Sequence, residues 1–449
     1  MVLSHRSKGI LTLCGGVLIH LTLGTLYTFG NMSPYITSYL RYKTSETSLE
    51  YSTAMWIFSV QVMGHGLLMP FSGLIHNKIG SRWTTLTGAT ILSLGIFLTY
   101  FTIQKSFAAV VFTYGLLFGA AIGISYSVPI SCAMMWFPSH KGLISGVILS
   151  GFGAGAFIFD QVQTAFINPD NLKANVSVGS QDEKYFDQHN VLKNVPNVFI
   201  LLACAYAAMN FVGTLLLTKP KVKGEKTSVS SALIDSSGSE SSESNNDVAH
   251  VKDKHPLVVI KTREFWTLWL MFLTNGQAVQ FTSALYKSYG ETFISNDRFL
   301  AIVGSFASVF NGLCRILWGY LADRISFKRT MVIQCLLMAL LFLTFTLTEK
   351  AGDWMYFIWV CLMFGTFSGN FALFPTVTAK AFGQKYFISN YGLVFSSQIF
   401  AGVIAALLAQ NLSDSLGWFG IFALVAGFST LGLILNLSFH VKRPDGKDI

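Results

Sequence analysis

The stretch Gly73-Leu-Ile-His-Asn77-Lys78-Ile-Gly80-Ser-Arg82 returns, altered but recognisable, as Gly319-Tyr-Leu-Ala-Asp323-Arg324-Ile-Ser-Phe-Lys328-Arg329, 246 residues later. Both copies are short polar interruptions between apolar runs. The same offset pairs Phe118-Gly119 with Phe364-Gly365, Gly123 with Gly369, Pro129 with Pro375 and Gly146 with Gly392. A single spacing shared by separated sites divides the chain into two parallel repeats.

Working outward from the repeat, the apolar runs can be counted. A helix needs about 20 mostly apolar residues to cross a bilayer. Such runs lie at 10–37, 51–75, 84–104, 107–135, 142–167 and 196–217, and again at 264–290, 299–321, 330–348, 354–380, 388–411 and 416–439. The expected fold is an all-α membrane protein with twelve transmembrane helices in two pseudo-symmetric six-helix halves, 1–217 and 263–449. Between them, 218–262 carries nine serines from Ser228 to Ser244 with acids interspersed, and reads as a disordered cytoplasmic linker. Ser237 and Ser244 each have an acid three residues on and are phosphorylation candidates; a plain solvated tether is the other reading.

Composition supports the count. Hydrophobic residues make up 52% and charged residues 12%, about half the charged share of an ordinary soluble protein, so the chain cannot clothe a water-facing surface. Soluble enzymes, nucleic-acid-binding modules and secreted disulfide scaffolds are set aside on that ground. The net charge of +9 has a membrane explanation. With twelve spans, 21 Lys and Arg residues fall on the side of the termini and 8 on the other, which by the positive-inside rule makes both termini cytoplasmic. The six cysteines sit in apolar runs without CxxC spacing, so neither a metal site nor a disulfide framework is indicated, and no cofactor is expected. No small-residue cleavage site follows the first run, which is read as a retained anchor. The loop 168–195 then lies outside, with a glycosylation sequon at Asn175. The expected location is the plasma membrane, an internal membrane being the alternative.

The repeated loop resembles the G-x-x-x-D-R-x-G-R-R/K motif of the major facilitator superfamily. The second copy lacks only the second glycine, and the first has Asn77 in place of the acid. Finer resemblance comes from Trp136-Phe137-Pro138, Lys141-Gly142 and Gly151-Phe152-Gly153-Ala154-Gly155, from Gly24-Thr-Leu-Tyr27-Thr-Phe-Gly30-Asn31, and from Asn311-Gly-Leu-Cys-Arg315. Together these are similar to the oxalate:formate antiporter and monocarboxylate transporter branch. The resemblance implies alternating access, with the gating loops Gly73, Asn77, Lys78, Arg82 and Gly319, Asp323, Arg324, Lys328 latching the cytoplasmic side. It also implies that Arg315, on the eighth helix, binds the substrate's carboxylate. Those antiporters have a lysine on the eleventh helix where this chain has Gln398. The monocarboxylate transporters have an acid at the position of Asn311 and a lysine near Asn31.

Two basic residues fall within apolar runs, Lys287 and Arg315. Arg315 lies eight residues before Asp323, about 12 Å deeper into the membrane. An arginine there costs about 2.5–3.5 kcal/mol on insertion scales, so it usually faces a cavity, and its fork suits a carboxylate. Lys287 either snorkels to the outer interface or draws anions into an outer vestibule. His20 and His65 project to a similar depth and can donate to the anion or carry a proton. Asp160 is the acid of the N-terminal spans and the third proton-coupling candidate. Tyr27, Asn31, Asn311 and Gln398 complete the substrate-binding set. Each of these polar residues has a packing reading beside the functional one.

The function expected is secondary transport of a small organic monocarboxylate of the lactate, pyruvate or formate type, with a proton as possible co-substrate. Oxalate/formate-type exchange against a counter-anion is the alternative, and a non-transporting metabolite receptor is the second class kept open. The lipid bilayer is the one macroscopic partner expected, and whether an ancillary subunit exists is left open. No nucleic acid is expected, and no nucleophile, base and orienting group stand together as in an enzyme.

Overall fold

The computed structural model describes residues 5–44, 46–49, 51–170, 172, 174–178, 183–220, 253–294 and 296–441. Twelve rods emerge. α1 runs through His5–Leu23, a tight turn Gly24–Thr28 and Phe29–Lys43. α2 and α3 are 51–79 and 81–102 of the continuous stretch Tyr51–Thr102, broken at Gly80. α4 comprises Phe107–Val110, the wide turns Val111–Leu117, Phe118–Ser125 and Ser127–Trp136. α5 is Lys141–Ile167 and α6 is His189–Leu216. α7 is Arg263–Glu291, α8 Asp297–Arg324, and α9 Phe327–Thr344 with a further turn at Thr348–Ala351. α10 comprises Asp353–Phe367 and Gly369–Phe382; α11 begins with Phe387–Phe395, and Ser397–Leu437 breaks at Gly417 into the rest of α11 and α12.

Ten stretches are long and apolar enough to cross a membrane among the described residues. One of them, Trp56–Thr102, contains both α2 and α3. α7 is not among the ten, because Thr274, Asn275, Gln277 and Thr282 give it a polar face, and these residues are buried inside the bundle. Counting both corrections gives twelve. α6 starts seven residues before the expected 196, since Val191, Leu192 and Val195 supply a buried stripe among polar residues that a hydropathy run does not register. The loop expected at 168–195 holds a small antiparallel hairpin, Val176–Val178 with Glu183–Tyr185, tied to α1 by Arg41 over the Tyr185 ring. Residues 253–262, the end of the expected linker, are folded: the Lys254 N–H donates to the Phe382 carbonyl at 3.0 Å, and Pro256–Val259 forms one helical turn. Ser237 and Ser244 lie outside the described residues.

The repeat is visible in backbone geometry. Gly80 turns the chain between α2 and α3 with φ 79°, and Ser326, 246 residues later, makes the same turn between α8 and α9 with φ 106°. The first copy has the residue that tolerates this conformation, while the second holds a serine in it under strain. The crossings of the halves repeat as well. A Cβ on Gly146 of α5 would stand 2.5 Å from the Arg315 carbonyl of α8, and one on Gly392 of α11 would stand 2.6 Å from the Met69 carbonyl of α2. Met69 is the 246-residue counterpart of Arg315. The two crossings therefore share one backbone arrangement, and only one of them carries a charge.

The described ends of the chain share one face. Thr12 bonds Thr218, Arg82 donates to the Leu217 carbonyl, and Asn436 donates to the Lys328 carbonyl. Call this the terminal face; the hairpin lies on the opposite face.

Candidate substrate site

α8 holds Arg315 at the centre of the bundle, where it is fully buried. Its Nε and Nη2 both donate to Asn311 Oδ1, one helical turn earlier, at 3.2 and 2.8 Å. Nη1 crosses to the other half and donates to the Leu149 carbonyl of α5 at 3.1 Å. The guanidinium carbon lies 5.4 Å from the Phe152 ring centre and 4.7 Å from that of Phe371. These contacts hold the charge in place without neutralising it. A guanidinium has five N–H donors. The bonds to Asn311 and Leu149 occupy three, and the Tyr27 and Tyr126 hydroxyls lie within reach of the others.

Tyr126 of α4 links the groups around this cation. Its ring centre lies 5.2 Å from His20, 5.0 Å from His65, 5.2 Å from Phe152 and 6.5 Å from Tyr391. The Tyr27 and Tyr126 side chains stand beside the guanidinium. Among the described residues, the Tyr126 and Tyr391 hydroxyls face one another, while His20 Nε2 and His65 Nε2 are buried without a hydrogen-bond partner. One such group costs roughly 1–3 kcal/mol. Both lie in the aromatic cluster around a cation that no described acid neutralises. His20 Nδ1 donates to the Gly16 carbonyl at 2.9 Å, so in the neutral ring Nε2 is the acceptor nitrogen.

The terminal side of this centre is shut. Gly142 and Gly319 bring α5 and α8 into backbone contact, and Asp323 fastens them, accepting the Leu143 N–H at 3.0 Å and pairing with Lys380 of α10 at 2.8 Å. On the other crossing, Gly73 lies against Ser389 and Gln384 Nε2 reaches Ser131 at 3.4 Å. The remaining gating residues have separate places. Arg82 caps the α6 carbonyls of Leu215 and Leu217, Arg324 lies over the Tyr320 ring, Lys328 gives its carbonyl to Asn436, and Asn77 and Lys78 are exposed.

Of the residues singled out in the sequence, Arg315, Asn311, His20, His65 and Tyr27 come together. Others do not join them. Asn31 ties α1 to α5 through Gln163 at 3.3 Å and Thr164 at 3.1 Å. Asp160 lies further along α5, with Oδ1 buried and unpaired and the Tyr114 and Tyr206 side chains near it. Gln398 is buried and donates to the Phe272 carbonyl of α7 at 2.7 Å; Phe395, a turn earlier, reaches His65 at 4.2 Å. Lys287 is on α7, and its side chain lies outside the described residues. Asn175 is exposed and accepts from Gln188 at 3.0 Å. Sequence reasoning missed Tyr126, Tyr391 and Phe371. Ser125-Tyr126-Ser127, a polar break in an apolar run, was the available signal for the first.

Two packed six-helix halves closing on a buried charge are the architecture of a membrane transporter, not an enzyme. The chain belongs to the Major Facilitator Superfamily, whose profile matches residues 18–386 and 268–448. It is 29% identical to Apicoplast pyruvate carrier 1 of Toxoplasma gondii, over 94% of this chain and 86% of that one. It is 23% identical to the Oxalate:formate antiporter of Oxalobacter formigenes, over 82% and 77% respectively. The E. coli fucose:proton symporter shares the fold with a TM-score of 0.68 at 14% identity, covering 98% of this chain and all of the other.

Proposed function

We propose that this transporter carries small monocarboxylates of the pyruvate and lactate type, with the substrate's carboxylate held by the Arg315 guanidinium. The observation that carries this reading is the single buried guanidinium, for which no described acid provides a counter-charge. One cation balances one carboxylate, and a second negative charge in this low-dielectric centre would be unpaired. The Tyr126 and Tyr391 hydroxyls are suited to a keto or hydroxyl oxygen next to that carboxylate. Similarity to a pyruvate carrier points the same way.

His20 Nε2 takes the coupling proton in this scheme, being an unpartnered acceptor beside the anion site. Moving a proton with the anion makes the cycle electroneutral and removes a term of about 2.3 kcal/mol per charge for each 100 mV. Similarity to an oxalate:formate antiporter favours exchange as the second reading. The terminal face is assigned to the cytoplasm by its excess of Lys and Arg. A tag at Ile449 should be reached only in permeabilised cells and a tag near Gly179 in intact ones; the reverse pattern would invert the assignment.

The function is tested by uptake of labelled pyruvate, lactate, formate and oxalate into vesicles containing the purified chain, with and without an inward proton gradient. Pyruvate and lactate uptake driven by the gradient is the expected result. Uptake that needs an internal anion and ignores the gradient would replace symport by exchange, and preference for oxalate would refute the single-charge argument.

A further inference from the structure

A cavity of about 270 Å³ lies on the terminal face between the halves, and its walls include His76, Asn77, Ser131, Lys219, Lys385 and Ser389. It occupies the repeat-related position of the Asp323 latch. Asn77 and Ser389 are the 246-residue counterparts of Asp323 and Leu143. In the C-terminal copy, a carboxylate receives the Leu143 N–H and the Lys380 ammonium. In the N-terminal copy, the corresponding side chain is an amide, while two ammonium groups, one from each half, still line the space.

The hydrogen bonding around His76 adds an independent sign. Lys219 Nζ lies 2.8 Å from His76 Nε2, and an ammonium only donates, so Nε2 accepts and the ring proton sits on Nδ1. That Nδ1 is buried without an acceptor. The nearby acid Asp253 is otherwise engaged: its Oδ1 accepts the Lys385 N–H at 3.0 Å, and it does not line the cavity.

We propose that this cavity binds a small oxoanion, a carboxylate or phosphate, whose oxygens replace the side-chain carboxylate that Asn77 lacks and fasten α2 to the start of α11. The site is separate from Arg315 and makes closure of the terminal face responsive to the anions bathing it.

The test is thermal unfolding of the purified full chain in neutral detergent, titrated with inorganic phosphate or pyruvate against chloride at matched ionic strength. Phosphate should raise the midpoint saturably by roughly 2–4 °C, and chloride should not. The response should vanish in the double variant Lys219→Ala/Lys385→Ala. Asn77→Asp, which supplies the carboxylate internally, should raise the anion-free midpoint and abolish the response. Arg315→Gln should retain the phosphate response, so this result stands or falls independently of the transport site. Repeating the titration in nanodiscs identifies the source of the anion: a response in both neutral and anionic lipid assigns a soluble anion, and its loss in anionic lipid assigns a headgroup. Equal shifts with chloride, or a phosphate response surviving in the double-lysine variant or in Asn77→Asp, would overturn the proposal.

Discussion

Replacing Arg315 by lysine keeps the charge and removes the fork, and the geometry gives the size of the effect. Arginine spends three donors on Asn311 and Leu149, and in the proposed scheme it turns the other two from the Tyr27 and Tyr126 hydroxyls to the substrate. A lysine ammonium has three donors at one point. If it remains on Asn311 it offers the carboxylate at most one good bond in place of a bidentate pair. A hydrogen bond to a charged group is worth about 1.5–3 kcal/mol, so kcat/KM for pyruvate should fall roughly 10- to 150-fold. The variant also leaves the Leu149 carbonyl without its donor and shifts the charge relative to Phe152 and Phe371, so a modest loss of thermal stability accompanies it. Initial uptake rates should therefore be measured in vesicles at matched protein content, after the variant's folding has been checked by size exclusion. Arg315→Gln, which lacks the charge, should be lower still. A lysine variant within twofold of wild type would remove the bidentate contact from the account.

Three further outcomes follow from other parts of the molecule. Gly146→Ala places a methyl group 2.5 Å from the Arg315 carbonyl and forces α5 and α8 apart by roughly 1 Å, so single cysteines on the terminal side should label faster than in wild type; unchanged labelling would show that the seam does not set closure. Ser326→Gly relieves the φ of 106° and gives up a long 3.4 Å cap to the Arg329 N–H, so unfolding should require about 1 kcal/mol more, read as a higher midpoint. Gln398→Lys adds a cation one turn beyond Phe395 and should raise the oxalate-to-pyruvate uptake ratio about tenfold, a difference of about 1.4 kcal/mol; an unchanged ratio would show that Gln398 serves only its bond to Phe272.

The large-scale architecture was legible because the bilayer imposes it: run length gave the spans, and the 246-residue offset gave the halves. Arg315 was legible for the same reason, since a guanidinium in an apolar run needs a cause. His20 and His65, read from the sequence as projecting to a similar depth, both have their rings against Tyr126. What failed to show in the sequence were partners chosen by packing across the halves. Tyr391 and Phe371 look like any aromatic residue of a lipid-facing helix until α10 and α11 bring them inward. Asn31 lies in a motif that suggests substrate contact, yet its amide is spent on Gln163 and Thr164. The polar face of α7 lowered its hydropathy because that face is turned into the protein, a distinction invisible to a hydropathy count.

The central claim is that the chain moves a monocarboxylate across the membrane through Arg315. Counterflow tests it most directly, because it needs no knowledge of the driving ion. Vesicles containing the purified chain are loaded with unlabelled pyruvate and diluted into a trace of labelled pyruvate. The account predicts a transient accumulation of label in wild type, suppressed by external lactate and absent in Arg315→Gln. Saturable pyruvate binding with no accumulation of label, or accumulation that survives in Arg315→Gln, would contradict it.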